Sequence, residues 1–313
     1  MSLFVDSRPQ GRQPRCVPMH IKRLLADNSP SYSFEYFPPR TEKACEELYS
    51  TIRELEKENP SFVSVTYGAG GTTRQLTHDL VVRIKETTST PPVPHLTCVG
   101  HTDAEISTIL QRYAEAGVSN ILALRGDPPK GVGDYNHAQD AFVNAADLVR
   151  KIKNFEGHPA TEGFGIGVAG FPEGHPATPN RLKEMDYLKE KVDAGADYIC
   201  TQLFFDNGAF HDFRERCELA GIKVPIIAGV MPILTKSSMM RMADLSGGTN
   251  FPASLLKRLN AAGDDAGSVE SAGIDFAFEQ CQDLVENQVA GIHFYTLNKS
   301  AATLEILRRL RTA

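Results

Sequence analysis

Eight short runs rich in β-branched and aromatic residues recur along the chain: YSFEYF (32–37), FVSVTYG (62–68), VPHLTC (93–98), NILALRG (120–126), GIGVAGF (165–171), DYICTQLFF (197–205), VPIIAGVM (224–231) and GIHFYTL (291–297). Several are apolar at consecutive positions, the pattern of strands covered on both faces. Helical patterns lie between them. DAEISTILQRYAEAG (103–117) opens on an Asp cap and closes at a Gly. TPNRLKEMDYLKEKVDAG (178–195) places Thr178 at the N-cap, Pro179 in the first turn and Gly195 at the end. AFHDFRERCELAG (209–221) and SAGIDFAFEQCQDLVENQVAG (271–291) follow the same grammar. An Ala-Gly pair closes a helix just before a strand at Gly117, Gly195, Gly221 and Gly291, which predicts glycine in the left-handed position that ends each helix.

Strands alternating with helices imply a parallel sheet. For an α/β chain of 313 residues, eight such units fit a closed (β/α)8 TIM barrel better than an open doubly wound sheet. Residues 1–20 read as a tail, with one short helix complete by residue 27, and residues 249–270 as an extra helical segment between strands seven and eight. No Gly/Ser linker or low-complexity stretch divides the sequence, so a single domain over 1–313 is expected.

Composition narrows the partners. Hydrophobic residues make up 41% and charged residues 23%, with a net charge of −6 and no basic block. That excludes nothing globular, but it argues against nucleic acid or an anionic membrane as partner. No apolar run reaches the roughly 18 residues of a spanning helix, and MSLFVDSRPQGRQPRC lacks the apolar stretch of a secretory signal. Six cysteines are scattered without a C-x-x-C pair, and Cys98 and Cys200 fall inside strand-like runs. A cytoplasmic protein with reduced thiols is expected.

GIGVAG (165–170) has the G-x-G-x-x-G spacing of a dinucleotide-binding turn. A true turn has its glycines after the strand, opening a helix. Here they fall within strand five, and FPEGHP follows, so the glycines are expected to make room for a ligand or a neighbouring backbone.

In a barrel the chemistry belongs at the C-terminal ends of the strands. Glu35 lies there among Phe34, Tyr36 and Phe37, where desolvation would raise its pKa and make it a proton donor; the alternative is a salt bridge to Lys or Arg across the barrel. Asp127 follows Arg125-Gly126 and precedes two prolines, a rigid turn that either aims the carboxylate into the mouth or lets it bond its own backbone. His95 and His175 sit at two exits, but no third ligand has metal-like spacing, so a neutral His donating to a ligand is favoured over zinc and no metal is expected. Gln202, an amide on an apolar strand, needs partners and is either a structural bridge or a contact for a polar heterocycle. Arg125 and Lys191 are candidates to meet phosphates, although Lys191 lies on a charged helix, where solvent exposure is the simpler reading.

Taken together, SFEYFPPR, FVSVTYGAGG, PHLTC, ALRGDPP, VAGFPEGHP, DAGADYICTQLFFD and HFYTLN resemble, in order, segments of the methylenetetrahydrofolate reductases, from about Ser31 to about Lys299. The length is similar to the short, catalytic-domain-only bacterial type. The resemblance implies non-covalent FAD, NADH or NADPH as co-substrate, and ping-pong reduction of 5,10-methylenetetrahydrofolate to 5-methyltetrahydrofolate in one-carbon and methionine metabolism. It makes Glu35 the acid that opens the folate ring. Asp127 becomes a carboxylate near flavin and pterin, and Gln202 a contact for folate and nicotinamide. Thr66, Tyr67, Ala69, His95, Arg125, Gly126, His175 and Lys191 match flavin-contacting positions. Phe171 stands where the family often has Tyr, and Lys299 matches a basic position near the folate tail. Asn144, Ser238 and Met242 depart from the family pattern at positions tied to cofactor or folate contacts. The family's bacterial members tend to be oligomers, so a homo-oligomer is expected. The rivals are another flavin barrel, similar to proline dehydrogenase, which has no need of a ring-opening acid, and a pterin-binding methyl-carrier module without redox work.

Overall fold

The computed structural model describes residues 19–68, 73–128, 135–246 and 248–312. Eight parallel strands close into a barrel in sequence order: β1 (Ser31–Tyr36), β2 (Phe62–Val65), β3 (Pro92–Thr97), β4 (Asn120–Leu124), β5 (Gly165–Gly170), β6 (Tyr198–Thr201), β7 (Ile226–Val230) and β8 (Gly291–Tyr295). The barrel closes where Ser33 of β1 pairs with His293 of β8 and Glu35 with Tyr295. All eight predicted strands are present, and the closed barrel replaces the open-sheet alternative.

Helices α1 (Ile21–Ala26), α2 (Glu42–Glu56), α3 (Arg74–Thr87), α4 (Asp103–Glu115), α5 (Ala145–Lys153), α6 (Arg181–Asp193) and α7 (Asn207–Leu219) precede β7. The next three, α8 (Lys236–Ser246), α9 (Ala253–Ala261) and α10 (Ala266–Glu286), lie between β7 and β8, and α11 (Ala301–Leu310) follows β8. The extra helix expected within 249–270 is α9. Helix α2 shows why such segments fold as they do: Cys45, Leu48, Ile52 and Leu55 recur at helical spacing and are buried, and the Thr41 side chain accepts from the Ala44 N–H at 3.2 Å.

The strand residues divide by parity into two cores. One set, including Phe34, Tyr36, Val63, Val65, Leu96, Ile166 and Ile292, packs outward against the helices. The alternate set, Phe62, Val93, Leu122, Tyr198, Cys200 and Ile227, fills the barrel interior together with Ile21, Leu24 and Leu25 of α1. The short N-terminal helix thus plugs the barrel floor. Ile21 N–H donates to Asn120 Oδ1 at 2.7 Å, Asn120 Nδ2 donates to the Met19 carbonyl at 2.9 Å, and His20 is buried.

Three local expectations are corrected. Helix α4 is capped by Thr102, in a reciprocal box with Glu105, and Asp103 is its first helical residue. Helix α6 is capped by Asn180, whose Oδ1 accepts from Leu182 and Lys183; Thr178 and Pro179 lie outside it. Gly117, Gly195 and Gly221 do adopt positive φ, but Gly291 does not. Gly291 begins β8, where a Cβ would collide with Ser31, and Gln288 takes the left-handed position instead.

GIGVAG is strand β5 itself. A Cβ on Gly167 would strike the Tyr198 ring, one on Gly165 would strike Asn120, and one on Gly170 would come within 2.6 Å of Ile199. The glycines make room for neighbouring side chains, not for a pyrophosphate turn.

Candidate active site

The C-terminal mouth is built from strand exits, and inward parity decides which side chains face it. On β1 the inward positions are Ser33 and Glu35; on β3, His95; on β8, His293 and Tyr295. Glu35 keeps 19% of its side chain exposed, and burial raises its pKa to about 8. Its Oε2 lies 3.6 Å from His95 Nε2. Burial lowers His95 to about 4. If the two attracted each other as ions, Glu35 would move down and His95 up. Both move the opposite way, so desolvation outweighs attraction and the pair is neutral near pH 7: a carboxylic acid facing an uncharged imidazole. The Lys or Arg salt bridge across the barrel, the alternative for Glu35, is not found among the described residues.

A second cluster occupies the exits of β4 and β5. Arg125 follows β4, and its carbonyl accepts from Cys98 and Val99, which ties the β3 and β4 exits together. Gly126 has φ +85°, and a Cβ there would come within 2.8 Å of Thr97 Cβ, so the turn requires glycine. Lys191 reaches back from α6 to donate to the Ala169 carbonyl at 2.6 Å. It is partly buried, not a solvent-facing lysine. Burial and Arg125 lower its pKa to about 8, against the pull of Glu184. His175, packed edge-on to Phe171 at 4.7 Å, is lowered by burial and by Arg125 and Lys191, with Asp127 opposing. Glu184 receives the His175 N–H at 3.1 Å, and burial raises its pKa. Three cationic or basic groups thus converge at one corner, the chemistry of an anion site. Asp127 is exposed beside it.

The remaining predicted residues are spread around this mouth. Thr66 N–H donates to the Tyr36 carbonyl at 2.9 Å, holding the β2 exit against β1. Tyr67 is buried with its hydroxyl 2.9 Å from His101 Nε2. Gln202 N–H donates to the Gly170 carbonyl, and its Oε1 accepts from the Leu203 N–H, so the amide is fixed beside the β5 exit. Lys299 is exposed after a turn in which Leu297 and Asn298 have φ of 49° and 59°; Asn298 bonds both the N–H and the carbonyl of Phe37, joining the β8 and β1 exits. Ala69 lies outside the described residues. Two histidines read together from the sequence are parted: His95 faces Glu35, and His175 faces the cationic corner.

The three departures have structural duties. Asn144 caps α5, accepting from Asp147 N–H at 3.0 Å. Ser238 donates to the Thr235 carbonyl at 2.6 Å in the first turn of α8. Met242 is buried in a small core with Leu203, Phe205, Met231, Ile233 and Leu255. His293 was not singled out from the sequence. Its signal is parity: a polar residue at an inward position, level with Ser33.

Fold and site define an α/β barrel whose mouth carries a buried carboxyl beside an imidazole and, across from it, a corner of basic side chains. Residues 20–311 match the model of the methylenetetrahydrofolate reductase family, and the chain belongs to that family. It is 37% identical over 278 residues to the 5,10-methylenetetrahydrofolate reductase of Escherichia coli, covering 89% of this chain and 90% of that one. It is 38% identical over 299 residues to methylenetetrahydrofolate reductase (NADH) 1 of Arabidopsis thaliana, covering 93% of this chain and half of that protein. The chain therefore spans about half the length of its plant relative. Among solved structures, an uncharacterized protein from Clostridium thermocellum that binds two copies of 5-methyl-5,6,7,8-tetrahydrofolic acid superposes with a TM-score of 0.59 at 14% identity, over 94% of this chain and 99% of that one, and shares the fold. No described helix is long and apolar enough to cross a membrane.

Proposed function

We propose that the chain reduces 5,10-methylenetetrahydrofolate to 5-methyltetrahydrofolate with NADH or NADPH, in a ping-pong sequence that uses non-covalent FAD. When bound, FAD supplies the hydride relay between nicotinamide and folate. The donor set suits it: Arg125, Lys191 and His175 would present positive and hydrogen-bonding groups to a pyrophosphate, and Thr66, Tyr67, Gly126 and Phe171 lie around the same mouth. Asp127 and Gln202 are assigned to the pterin, Asp127 also to the flavin side, and Lys299 to the acidic tail of the folate.

The observation that carries this reading is Glu35. Reduction of a methylene bridge requires that one C–N bond of the five-membered ring break first, leaving an iminium. The departing nitrogen takes the bonding electron pair and needs a proton. With a pKa of about 8, Glu35 still holds that proton at neutral pH. It delivers the proton, is left as carboxylate, and recovers a proton from solvent through its exposed edge. The hydride from nicotinamide needs no such acid.

The test separates the two halves. Purified, FAD-loaded protein is reduced anaerobically with NADH and then reoxidised with methylenetetrahydrofolate. In Glu35→Gln, bleaching by NADH is expected to persist, while reoxidation by the folate slows by at least about 100-fold, the usual contribution of a general acid. Equal slowing of both halves, or failure of the wild-type protein to retain FAD, would overturn the reading.

A further inference from the structure

The barrel interior beneath Glu35 holds a column of polar side chains that the proposed reaction does not use. His293 is buried one layer down. Its Nδ1 is 2.7 Å from Ser33 Oγ and its Nε2 is 3.0 Å from Ser64 Oγ. The ring stacks on Phe62 at 5.7 Å and meets Tyr295 edge-on at 5.4 Å. With the Ser33 hydroxyl donating to the Ile292 carbonyl, Nδ1 carries the imidazole hydrogen and Nε2 accepts from Ser64. The ring is satisfied on both sides without a charge, and burial together with His95 lowers its pKa to about 3.

His95 is different. It is 7% exposed, and its Nε2 has no hydrogen-bond partner among the described residues. A buried, unpaired ring nitrogen is destabilising, so one that persists calls for an explanation. The Glu35 carboxyl lies 3.6 Å away, without another ion pair among the described residues. Cys200 and Tyr295 also face this carboxyl, but burial holds both well above their ordinary pKa values, so neither supplies a charge. A protonated carboxyl is a donor, and a neutral ring nitrogen is an acceptor. The two unmet needs complement each other, and a few tenths of an ångström closes the contact.

We propose that His95 is a positioning residue for Glu35: its Nε2 accepts the carboxyl hydrogen bond, which fixes the acid and its proton at the mouth, while His293, held by Ser33 and Ser64, gives the pair an uncharged floor. This rests on the reading of Glu35 as the ring-opening acid. It is separate from the flavin contact that the family resemblance implies for His95, which acts on cofactor retention and on both half-reactions alike.

Infrared difference spectra between wild type and Glu35→Gln isolate the carboxyl C=O band of Glu35 at neutral pH. In His95→Leu the band is expected to move up in frequency, as for a carboxyl that has lost its acceptor. His95→Gln, which returns an acceptor near the Nε2 position, should restore it, and the shorter His95→Asn should not. In parallel, His95→Leu should slow the folate half-reaction about tenfold, the order of one lost hydrogen bond, and His95→Gln should recover most of that. With FAD saturating, the folate half-reaction should fall by more than reduction by NADH does. An unmoved band in His95→Leu and His95→Asn, or equal slowing of both half-reactions with FAD saturating, overturns the proposal. Should His95→Leu fail to fold, the Gln and Asn variants carry the same comparison. Absence of any protonated Glu35 band in the wild type would instead overturn the reading of Glu35 itself.

Discussion

Asp197 at the barrel floor and Glu35 at its mouth are both carboxylates removed from most of the solvent, and they are treated in opposite ways. Asp197 accepts from the Ile166 N–H at 2.8 Å, pairs with Lys22 at 2.9 Å, and has His20 at 3.8 Å. Every part of it is used to fasten α1 and β5 to the start of β6. Among the described residues Glu35 has no ion pair but the contact with the neutral His95 imidazole at 3.6 Å. A carboxylate with partners holds structure together. One without them keeps its proton, at a cost to stability, and becomes available for chemistry.

The sharpest way to test that contrast is to remove the proton-holding group. Glu35 has its folded pKa raised from 4.5 to about 8. Between those values the folded protein binds a proton that the unfolded chain does not, so its contribution favours folding fully at low pH and fades as pH rises through 8. Relative to the unfolded carboxylate, this costs up to about 5 kcal/mol above pH 8. Glu35→Gln cannot ionise and escapes that cost. Denaturant melts should show the variant gaining on wild type as pH rises from 5 to 8, by several kcal/mol in total, while the folate half-reaction is lost. A pH-independent difference would mean that Glu35 does not carry a raised pKa.

Asp197→Ala should do the reverse. It leaves the buried Ile166 N–H without its acceptor and takes the partner from Lys22. The expected loss is about 2–3 kcal/mol of stability near neutral pH, read as a lower denaturation midpoint, with both half-reactions unchanged per folded molecule. If the variant lost the folate half-reaction selectively, floor and mouth would not be separable.

Much of this contrast was legible in the sequence, but unevenly. Strands such as FVSVTYG and NILALRG declare themselves because both faces are buried, and Glu35 stood out because a carboxylate among aromatic strand residues has few bland explanations. The helix starts were less legible: Thr178-Pro179 has the grammar of a cap, yet Asn180 two residues later is the one whose side chain reaches the free N–H groups. Gly291 copied the Ala-Gly phrase of the true helix ends, while its reason is contact with Ser31 across the barrel closure. The floor plug was read as a short helix after a tail, since six helical residues are too few to declare which face is apolar. From the sequence His293 reads only as part of the β8 exit, because its meaning depends on strand register. Only pairing with Ser33 places it under the acid. What a residue does locally is written in its neighbours along the chain; what it meets across a closed barrel is set by register, which alternation alone leaves undetermined.

The smallest effect probes the exposed part of the floor. Lys22 is 65% exposed, whereas Asp197 is only 3% exposed. Water screens the lysine, so Lys22→Ala should cost no more than about 0.5–1 kcal/mol, far less than loss of its partner. The pH dependence has a definite sign. Burial lowers the pKa of His20, Lys22 lowers it further, and Asp197 opposes both. A histidine lowered in the folded state makes folding less favourable below its ordinary pKa of 6.5. Removing Lys22 lets Asp197 draw the His20 pKa back up, which relieves part of that penalty. Urea denaturation at pH 5.5 and pH 8 should therefore find Lys22→Ala less destabilising at the lower pH. Equal losses at both would show that His20 and Lys22 do not act on each other through Asp197, and that the floor carboxylate is held by the Ile166 N–H alone.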